Sequence, residues 1–346
     1  MHLVVKFKNK TASLKEVQKL MDRLYKFYEI DENEAKRICR MFDYSLTYES
    51  HIPIHNGMST SNFILQASGK SFLLKLYSNG IENIELSMYS FLSGKISVPK
   101  VLFHDFSKKL FPFPYVIISF IKGVTLNEYI RKHECYPTKL ITQIAEGLAQ
   151  IHNTTFERAA LLDSNFNYKK DVPTVSAQTR NLLNDKPGNH LPGRQKKRLL
   201  DLLDKRNDLY AEIDQHYVLS HGDFSYGNIL VDESDRVWFI DFEYAFSAGW
   251  LHDIAKFFRR KDDNIQKYID QNVYKCFAQA YNSKAKYHLP DYWLLLARLA
   301  DIPGMLSFLN SDNPPKEWID DIIMDIDTAL SIMIPEIKTD KTAKIS

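Results

Sequence analysis

The sequence has few cysteines, and none of them are paired at a metal-binding or redox spacing. Cys39, Cys135 and Cys276 are the three cysteines among 346 residues, and no Cys-x-x-Cys occurs. An odd and widely separated set supports neither a disulfide framework nor a zinc site. A reducing compartment is therefore expected, and we predict a cytoplasmic protein.

Long apolar runs and an excess of charge of one sign are also missing. Runs such as Tyr115–Ile121 are far shorter than the roughly 20 residues that span a bilayer, and the first ten residues lack the apolar core of a signal peptide. Lysine and arginine number 45 against 43 acidic residues, for a formal net charge of +2. This balance gives no general reason to expect nucleic acid as a partner. Neither a membrane nor a nucleic acid partner is expected, and the oligomeric state stays open.

The composition is that of a globular protein, with 45% hydrophobic and 25% charged residues. Three segments differ in pattern. Residues 1–43 predict a helical extension, because Ser13 with Glu16 and Asp31 with Glu34 have the spacing of capping boxes. Residues 44–121 predict a small domain of strands, and residues 122–346 predict a larger, mainly helical domain. The predicted fold class is α+β.

The small domain is predicted from five strand-like runs and one helical segment. Ser68-Gly69-Lys70 is a short turn that suits an antiparallel hairpin between the second and third runs. The strands are predicted at residues 44–54, 62–67, 71–77, 100–105 and 114–121, and the helix at 81–92.

Residues 163–216 are polar and rich in lysine and arginine. Such a charge run most often forms a solvated helical surface, and this is our interpretation. Binding of an anionic partner is the alternative that the sequence leaves open.

The stretch that indicates chemistry is His-Gly-Asp-Phe-Ser-Tyr-Gly-Asn-Ile-Leu at 221–230, followed by Ile-Asp-Phe-Glu at 240–243. Phosphoryl transfer from a nucleotide needs a carboxylate that orients the attacking hydroxyl and accepts its proton, and Asp223 suits this role. It also needs hard oxygen ligands for Mg²⁺, and Asn228 and Asp241 suit that role. The two motifs in this order, with two short strands between them, are much more specific than either motif alone.

These motifs resemble those of the aminoglycoside phosphotransferase and choline kinase superfamily. The resemblance covers roughly residues 50–260 and includes Leu-His-Asp-Ile-Ala at 251–255. It implies a two-lobed protein-kinase-like fold, with a five-stranded antiparallel N-lobe and a helical C-lobe. It also implies that residues 221–228 form the catalytic loop, that Asp253 and His221 support this loop, and that His152 has a structural role.

The resemblance further implies a nucleotide site in the N-lobe. The loop at 56–62, with Ser59 and Thr60, would cover the phosphates. Lys75 would contact the α- and β-phosphates and pair with Glu85, or with Glu82 as the second choice. The backbone of Ser119 and Ile121 would bind the adenine. ATP with Mg²⁺ is the expected cofactor set, and GTP in place of ATP is left open.

The acceptor is predicted from weaker signals. Residues 301–330 hold seven acidic residues against one lysine, and clustered carboxylates suit a cationic acceptor such as an aminoglycoside or amino sugar. A solvated acidic helix face is the alternative. The candidate acceptor-binding residues are Glu243, Asp301, Glu317, Asp320 and Asp321.

Three alternative functions have weaker support in the sequence. A choline or ethanolamine kinase would need an aromatic box, which could be built from Trp250, Tyr287, Tyr292, Trp293 and Trp318. A protein kinase is disfavoured because no Ala-Pro-Glu segment follows Asp241. A non-catalytic nucleotide-binding relative stays open, although the intact Lys75 and Asp223 argue against it.

Overall fold

A computed structural model of the chain describes residues 27–55, 60–77, 84–260 and 263–332. Its N-lobe is a five-stranded sheet in the order β1-β2-β3-β5-β4, with every neighbouring pair antiparallel. The predicted five-stranded antiparallel N-lobe is thereby confirmed. The N-lobe elements are α1 (Glu32–Phe42), β1 (Tyr48–Ile54), β2 (Thr60–Ala67), β3 (Lys70–Tyr77), α2 (Ile84–Leu92), β4 (Val101–Asp105) and β5 (Tyr115–Ser119).

The predicted hairpin joins β2 and β3. Ser68 and Gly69 both have positive φ angles, of 49° and 70°. Two consecutive residues with positive φ form the tight turn whose twist matches that of an antiparallel pair, and glycine adopts this conformation without a steric penalty. The turn sets the register that places Asn62 opposite Lys75.

Helix α1 begins with the predicted capping box. The Asp31 carboxylate accepts a hydrogen bond from the Glu34 backbone amide (2.8 Å), and the Glu34 carboxylate accepts one from the Asp31 amide (2.9 Å). The buried face of α1 packs in one apolar cluster with strand residues such as Leu65 and Leu74. The helix predicted to begin near Ser13 lies outside the described residues, and the domain boundaries stay a prediction.

The C-lobe is mainly helical, as predicted. Its helices are α3 (Leu126–His133), α4 (Thr138–His152), α5 (Val175–Asn184), α6 (Lys186–His190), α7 (Gly193–Lys205), α8 (Asn207–Ile213), α9 (His252–Phe257), α10 (Asp263–Gln266), α11 (Gln271–Asn282), α12 (Trp293–Ser307) and α13 (Lys316–Ile332). Its strands are β6 (Gly123–Thr125), β7 (Thr155–Phe156), β8 (Ala160–Leu162), β9 (Tyr168–Asp171), β10 (Tyr217–Ser220), β11 (Ile229–Asp232), β12 (Val237–Phe239) and β13 (Phe246–Gly249).

Two antiparallel pairs frame the segment between residues 220 and 246. Strands β10 and β13 pair at Ser220 and Phe246, and β11 and β12 pair at Ile229 and Phe239. The sequence predicts β11 and β12. It does not predict the other short C-lobe strands.

One apolar core runs through both lobes. Met88 and Leu92 of α2 are fully buried in the same cluster as Ile144 of α4 and Phe224 of the catalytic loop. Because α2 belongs to the N-lobe and α4 to the C-lobe, this apolar cluster joins the two lobes. It thereby fixes the walls of the cleft between them.

Two features of the structure concern the cysteines and the apolar length of the helices. All three cysteines are free. Within the described ranges, no helix combines the length and apolar character that a membrane crossing requires.

The packing of α4 against β12 generates a prediction. A methyl group at Gly147 would overlap the ring of Phe239, which is buried in the core. We expect Gly147→Ala to lower the free energy of unfolding by about 1–2 kcal/mol, because overpacking costs about 1–3 kcal/mol and outweighs a gain in helix propensity of at most about 1 kcal/mol.

Urea unfolding measures this effect, and Gly193→Ala is the matched control. Gly193 begins α7, and an added methyl group there meets no atom within 4 Å. Gly147→Ala as stable as the wild type would show that Phe239 can move aside.

Candidate active site

Strand β3 and helix α2 hold a buried ion pair at the back of the cleft. The Lys75 ammonium donates to both carboxylate oxygens of Glu85, at 2.6 and 2.9 Å, and lies 3.3 Å from Oδ1 of Asp241. Lys75 and Glu85 are both buried. The structure therefore brings together the lysine and the first-choice acid of the sequence prediction. Glu82, the second choice, lies outside the described residues.

Two tyrosines complete the surroundings of Glu85. The hydroxyl groups of Tyr77 and Tyr89 each donate to it at 2.8 Å. Burial alone would lower the pKa of Lys75, but the charge of Glu85 beside it holds that pKa well above the usual value. Burial and the Glu85 charge also raise the pKa of Tyr89 well above its usual value. Lys75 is therefore a cation and the Tyr89 hydroxyl stays protonated at physiological pH.

The β11–β12 pair places Asn228 and Asp241 side by side. Asn228 precedes β11, Asp241 comes two residues after β12, and the Ile240 amide donates to the Asn228 carbonyl at 3.1 Å. Asp241 has a φ of +68°, in the left-handed region that non-glycine residues rarely adopt. Its amide donates to the Tyr89 hydroxyl at 3.0 Å. Helix α2 thus holds Lys75 through Glu85 and the backbone of Asp241 through Tyr89.

Asp223 lies in the catalytic loop, where Asn228 and Lys256 contact its two carboxylate oxygens. Its Oδ2 accepts from Nδ2 of Asn228 at 2.8 Å, and the same amide group donates to the Asp223 carbonyl at 2.8 Å. Its Oδ1 lies 2.6 Å from the ammonium of Lys256. The carboxylate is buried and fixed in orientation, which are the properties that general-base catalysis requires.

Asp253 joins α9 to the catalytic loop. Its carboxylate, which is fully buried, accepts hydrogen bonds from the Ser220 hydroxyl (2.8 Å), the His221 amide (2.8 Å) and the Gly222 amide (3.2 Å). His221 Nε2 lies 2.9 Å from the Ile240 carbonyl, which links the loop to β12. The two residues predicted to support the loop are therefore brought together.

His152 continues this network into the C-lobe core. Its Nε2 lies 3.2 Å from Oδ2 of Asp253, and its Nδ1 lies 2.8 Å from the hydroxyl of Tyr281. Burial opposes the charge on Asp253, but its hydrogen bond with His152 and the nearby histidines outweigh this effect. The pKa of Asp253 therefore lies well below its usual value.

The turn at Gly222 requires glycine. Its φ is +78°, and a Cβ atom there would overlap the carbonyl oxygen of Tyr244. The close approach of these two backbones fixes the position of the loop against the segment that leads from Asp241 to β13.

Lys75, Asp223, Asn228 and Asp241 line a cleft of about 2070 Å³ between the lobes. This volume exceeds that of a site for one small ligand and suffices for two substrates at once. Among the predicted site residues, Ser59 lies outside the described residues, and Glu85, His221 and Asp253 are buried behind the wall. The predicted residues that line the cleft are Thr60, Lys75, Ser119, Ile121, Asp223, Asn228, Asp241, Glu243, Asp301 and Asp321.

The candidate acceptor residues separate into two groups. Glu243, Asp301 and Asp321 line the cleft, whereas Glu317 and Asp320 are exposed on α13 and do not line it. Asp301 is paired with Arg259 of the adjoining segment, at 2.5 and 2.8 Å.

The five aromatic residues considered for a choline box do not meet at the cleft. Trp250 and Trp293 are buried, Tyr287 stacks on His216, and Tyr292 donates to Glu212. Trp318 lines the cleft.

Three further residues, Lys256, Arg259 and Tyr89, belong to the site but are not predicted from the sequence. The spacing of Lys256 does indicate a place near the catalytic loop, because it follows Asp253 by three residues on a helix and residues at that spacing share a face. Tyr89 follows Glu85 by four residues, which is the other spacing of that kind.

The Asp253 network generates a prediction. We expect Asp253→Asn to lower the free energy of unfolding at neutral pH by about 3 kcal/mol or more, because an amide nitrogen would face groups that donate to a buried carboxylate. Urea unfolding measures the loss. Asp312→Asn is the control, because Asp312 pairs with Lys186 on the surface and its change should have little effect.

The same variant predicts a pH dependence. The pKa of Asp253 is lowered in the folded protein, so the unfolded state binds more protons below the ordinary aspartate pKa of about 3.9. The stabilisation is complete above that pH and is lost as the pH falls below about 4. The stability difference between wild type and Asp253→Asn should shrink there, and a constant difference from pH 7 to pH 3 would contradict this account.

Comparison with known proteins gives structural likeness at low sequence identity. No curated protein sequence matches the chain. The GDP complex of an aminoglycoside 2′-phosphotransferase-IIIa mutant superposes with a TM-score of 0.61, at 13% identity over 88% of this chain and 99% of that one. A thermostable mutant of aminoglycoside phosphotransferase APH(4)-Ia, crystallised with ADP and hygromycin B, has a TM-score of 0.57 at 15% identity, over 86% and 97% of the two chains.

A third structure, the GDP and kanamycin complex of APH(2″)-IIIa, has a TM-score of 0.58 at 14% identity, over 85% of this chain and 97% of that one. These likenesses confirm the predicted kinase-like fold. The sequence profile of the phosphotransferase enzyme family matches residues 50–303, which is most of the chain and includes both lobes of the cleft. The chain therefore belongs to the phosphotransferase enzyme family.

Proposed function

We propose that this protein transfers the γ-phosphoryl group of ATP to a hydroxyl group of a small, cationic acceptor such as an aminoglycoside or amino sugar. The observation that carries the proposal is the convergence of Asp223, Asn228, Asp241 and Lys75 on one cleft. GTP is an alternative donor, because the similar proteins were crystallised with GDP as well as with ADP.

In this proposal Asp223 orients the acceptor hydroxyl and accepts its proton. The buried carboxylate is held by Asn228 through two hydrogen bonds of 2.8 Å, so little reorganisation is needed before attack. Most of the rate enhancement comes from positioning and from neutralisation of charge.

Asn228 and Asp241 fit a magnesium site. Both present oxygen atoms at the cleft, and Asp241 keeps about a third of its side chain accessible. Magnesium in such sites is held by one or two protein ligands together with the phosphates of the nucleotide. This agrees with the described residues, which contain no group of three acidic, histidine or cysteine ligands. When bound, the ion would neutralise the negative charge of the phosphates.

The N-lobe supplies the nucleotide contacts. Lys75 keeps its charge through Glu85 and would bind the α- and β-phosphates. Thr60 lines the cleft at the start of β2, directly after the loop that would cover the phosphates. Ser119 and Ile121 also line the cleft, and their backbone would bind the adenine.

A cationic acceptor is supported by the acids that line the cleft. Glu243 and Asp321 are partly accessible there. Asp301 contributes less, because Arg259 compensates its charge. The choline-type alternative has less support, because four of its five candidate aromatic residues do not line the cleft.

Consumption of Mg-ATP and Mg-GTP against a panel of acceptors tests the proposal. The panel holds several aminoglycosides and amino sugars, with choline, ethanolamine, homoserine, methylthioribose and a macrolide as other classes. Turnover that depends on an aminoglycoside or amino sugar supports the proposal. Turnover with choline or ethanolamine supports the alternative kinase, and a protein that binds no nucleotide contradicts every kinase assignment.

The two aspartates should respond differently to substitution. We expect Asp223→Asn to lower kcat by at least about 100-fold, the low end of general-base contributions, with nucleotide affinity nearly unchanged. We expect Asp241→Asn to weaken Mg-nucleotide binding by about tenfold or more, because a charged ligand is lost. Calorimetric titration and initial rates separate the two effects.

Asp204→Asn is a control for both substitutions, because Asp204 is exposed on α7 and does not line the cleft. Full turnover by Asp223→Asn would remove it from the role of base. Unchanged Mg-nucleotide affinity in Asp241→Asn would remove it from the metal site.

A further inference from the structure

Lys256 is a charged side chain in the cleft to which the predicted machinery assigns no role. It lies on α9, three residues after Asp253, and Asp253 attaches that helix to the catalytic loop. Its ammonium lies 2.6 Å from Oδ1 of Asp223 and 3.4 Å from the Gly222 carbonyl. About a quarter of the side chain is exposed, and it lines the cleft.

The position of this ammonium matters because of what must approach Asp223. The carboxylate is oriented by Asn228 through its other oxygen, Oδ2. Because Oδ2 is already bound to Asn228, the proposal places the acceptor hydroxyl and the phosphoryl group that it attacks on the Oδ1 side, where the ammonium of Lys256 lies. An ammonium has three N–H donors, so it can contact Asp223 and a phosphoryl oxygen together.

The other cleft lysine cannot fill this place. Lys75 is bound to both oxygens of Glu85 and lies against Asp241, on the N-lobe side. Charge spreads over the oxygens of the transferred phosphoryl group during reaction, and a positioned cation on its acceptor side lowers the energy of that state.

We propose that Lys256 is a catalytic residue that binds the γ-phosphoryl group of the nucleotide while it remains beside Asp223. The inference rests on the proposed function. In the reaction, the acceptor oxygen forms a bond to the γ-phosphorus, and the bond from that phosphorus to the bridging β–γ oxygen breaks. The leaving ADP keeps the electron pair, and Asp223 receives the hydroxyl proton. Lys256 stays protonated and donates hydrogen bonds throughout.

The alternative is that Lys256 only compensates the charge of Asp223. Nucleotide binding distinguishes these roles without knowledge of the acceptor. Mg-AMP-PNP has a γ-phosphoryl group and Mg-ADP does not, so a direct contact affects only the first. Isothermal titration of both with wild type, Lys256→Met and Lys256→Arg provides the comparison.

We expect Lys256→Met to weaken Mg-AMP-PNP binding by about tenfold or more and Mg-ADP binding by less than about twofold, because a charged hydrogen bond is lost from the γ-phosphoryl group alone. Lys256→Arg should recover part of the difference. Retained Mg-ADP affinity also shows that the variant is folded.

A second pair of variants removes the effect of Asp223 itself. Without Lys256, the charge of the Asp223 carboxylate is no longer compensated. This carboxylate would then repel a γ-phosphate even if that phosphate never contacts Lys256 in the wild type. The Lys256→Met change is therefore repeated in the Asp223→Asn background. A direct contact predicts a similar loss of Mg-AMP-PNP affinity there, whereas pure charge compensation predicts none.

Arg260→Met is the matched control for charge. Arg260 lies in the segment after α9, lines the cleft and is 3.4 Å from Asp263, and its loss should leave the ratio of the two affinities unchanged. Equal losses for both nucleotides in Lys256→Met, or no loss in the Asp223→Asn background, would overturn the inference. Wild-type protein that binds neither nucleotide would instead overturn the proposed function.

Discussion

The site depends on one buried carboxylate, that of Asp253. It accepts hydrogen bonds from Ser220 at the end of β10 and from the first two backbone amides of the catalytic loop, and it also contacts His152 of α4. These donors replace the water that a buried carboxylate loses, which is why the charge is stable there. A strand, a loop and two helices are therefore positioned relative to one charge, and Asp223 takes its place from that arrangement.

Each lobe compensates a buried charge with a side chain of opposite charge. In the N-lobe, Lys75 is compensated by Glu85, which two tyrosine hydroxyls also contact. In the C-lobe, Asp223 is compensated by Lys256 and oriented by Asn228. Each pair places its charge at the wall of the cleft in a fixed direction. A cation from each lobe thus lines the cleft, Lys75 beside Asp241 and Lys256 beside Asp223. In the proposed function, triphosphate binding would use both cations without the cost of moving them from water.

The sequence predicts the fold and the residues of the catalytic segment well, and for a physical reason. The strands β2 and β3 are eight-residue runs joined by a two-residue turn. The spacing from Asp223 to Asn228 and Asp241 is set by a short loop and a hairpin, so local sequence determines both. The strand β10 and the pairing of Asp223 with Lys256 depend on contacts between segments about 30 residues apart. A pattern of residue types does not specify such contacts, which is why the N-lobe sheet was predicted and Lys256 was not.

The acidic tract at 301–330 and the basic insertion at 163–216 give a second example of contacts that the sequence pattern does not specify. Considered separately, one suggests a site for cations and the other a surface for anions. In the structure, Lys186 pairs with Asp312 and Arg198 pairs with Asp327, so the two segments partly compensate each other. In the proposed function, the acids that would contact an acceptor are those that line the cleft, such as Glu243 and Asp321. Acceptor specificity would therefore depend on which charges the fold places at the cleft, and not on how many charges the segment contains.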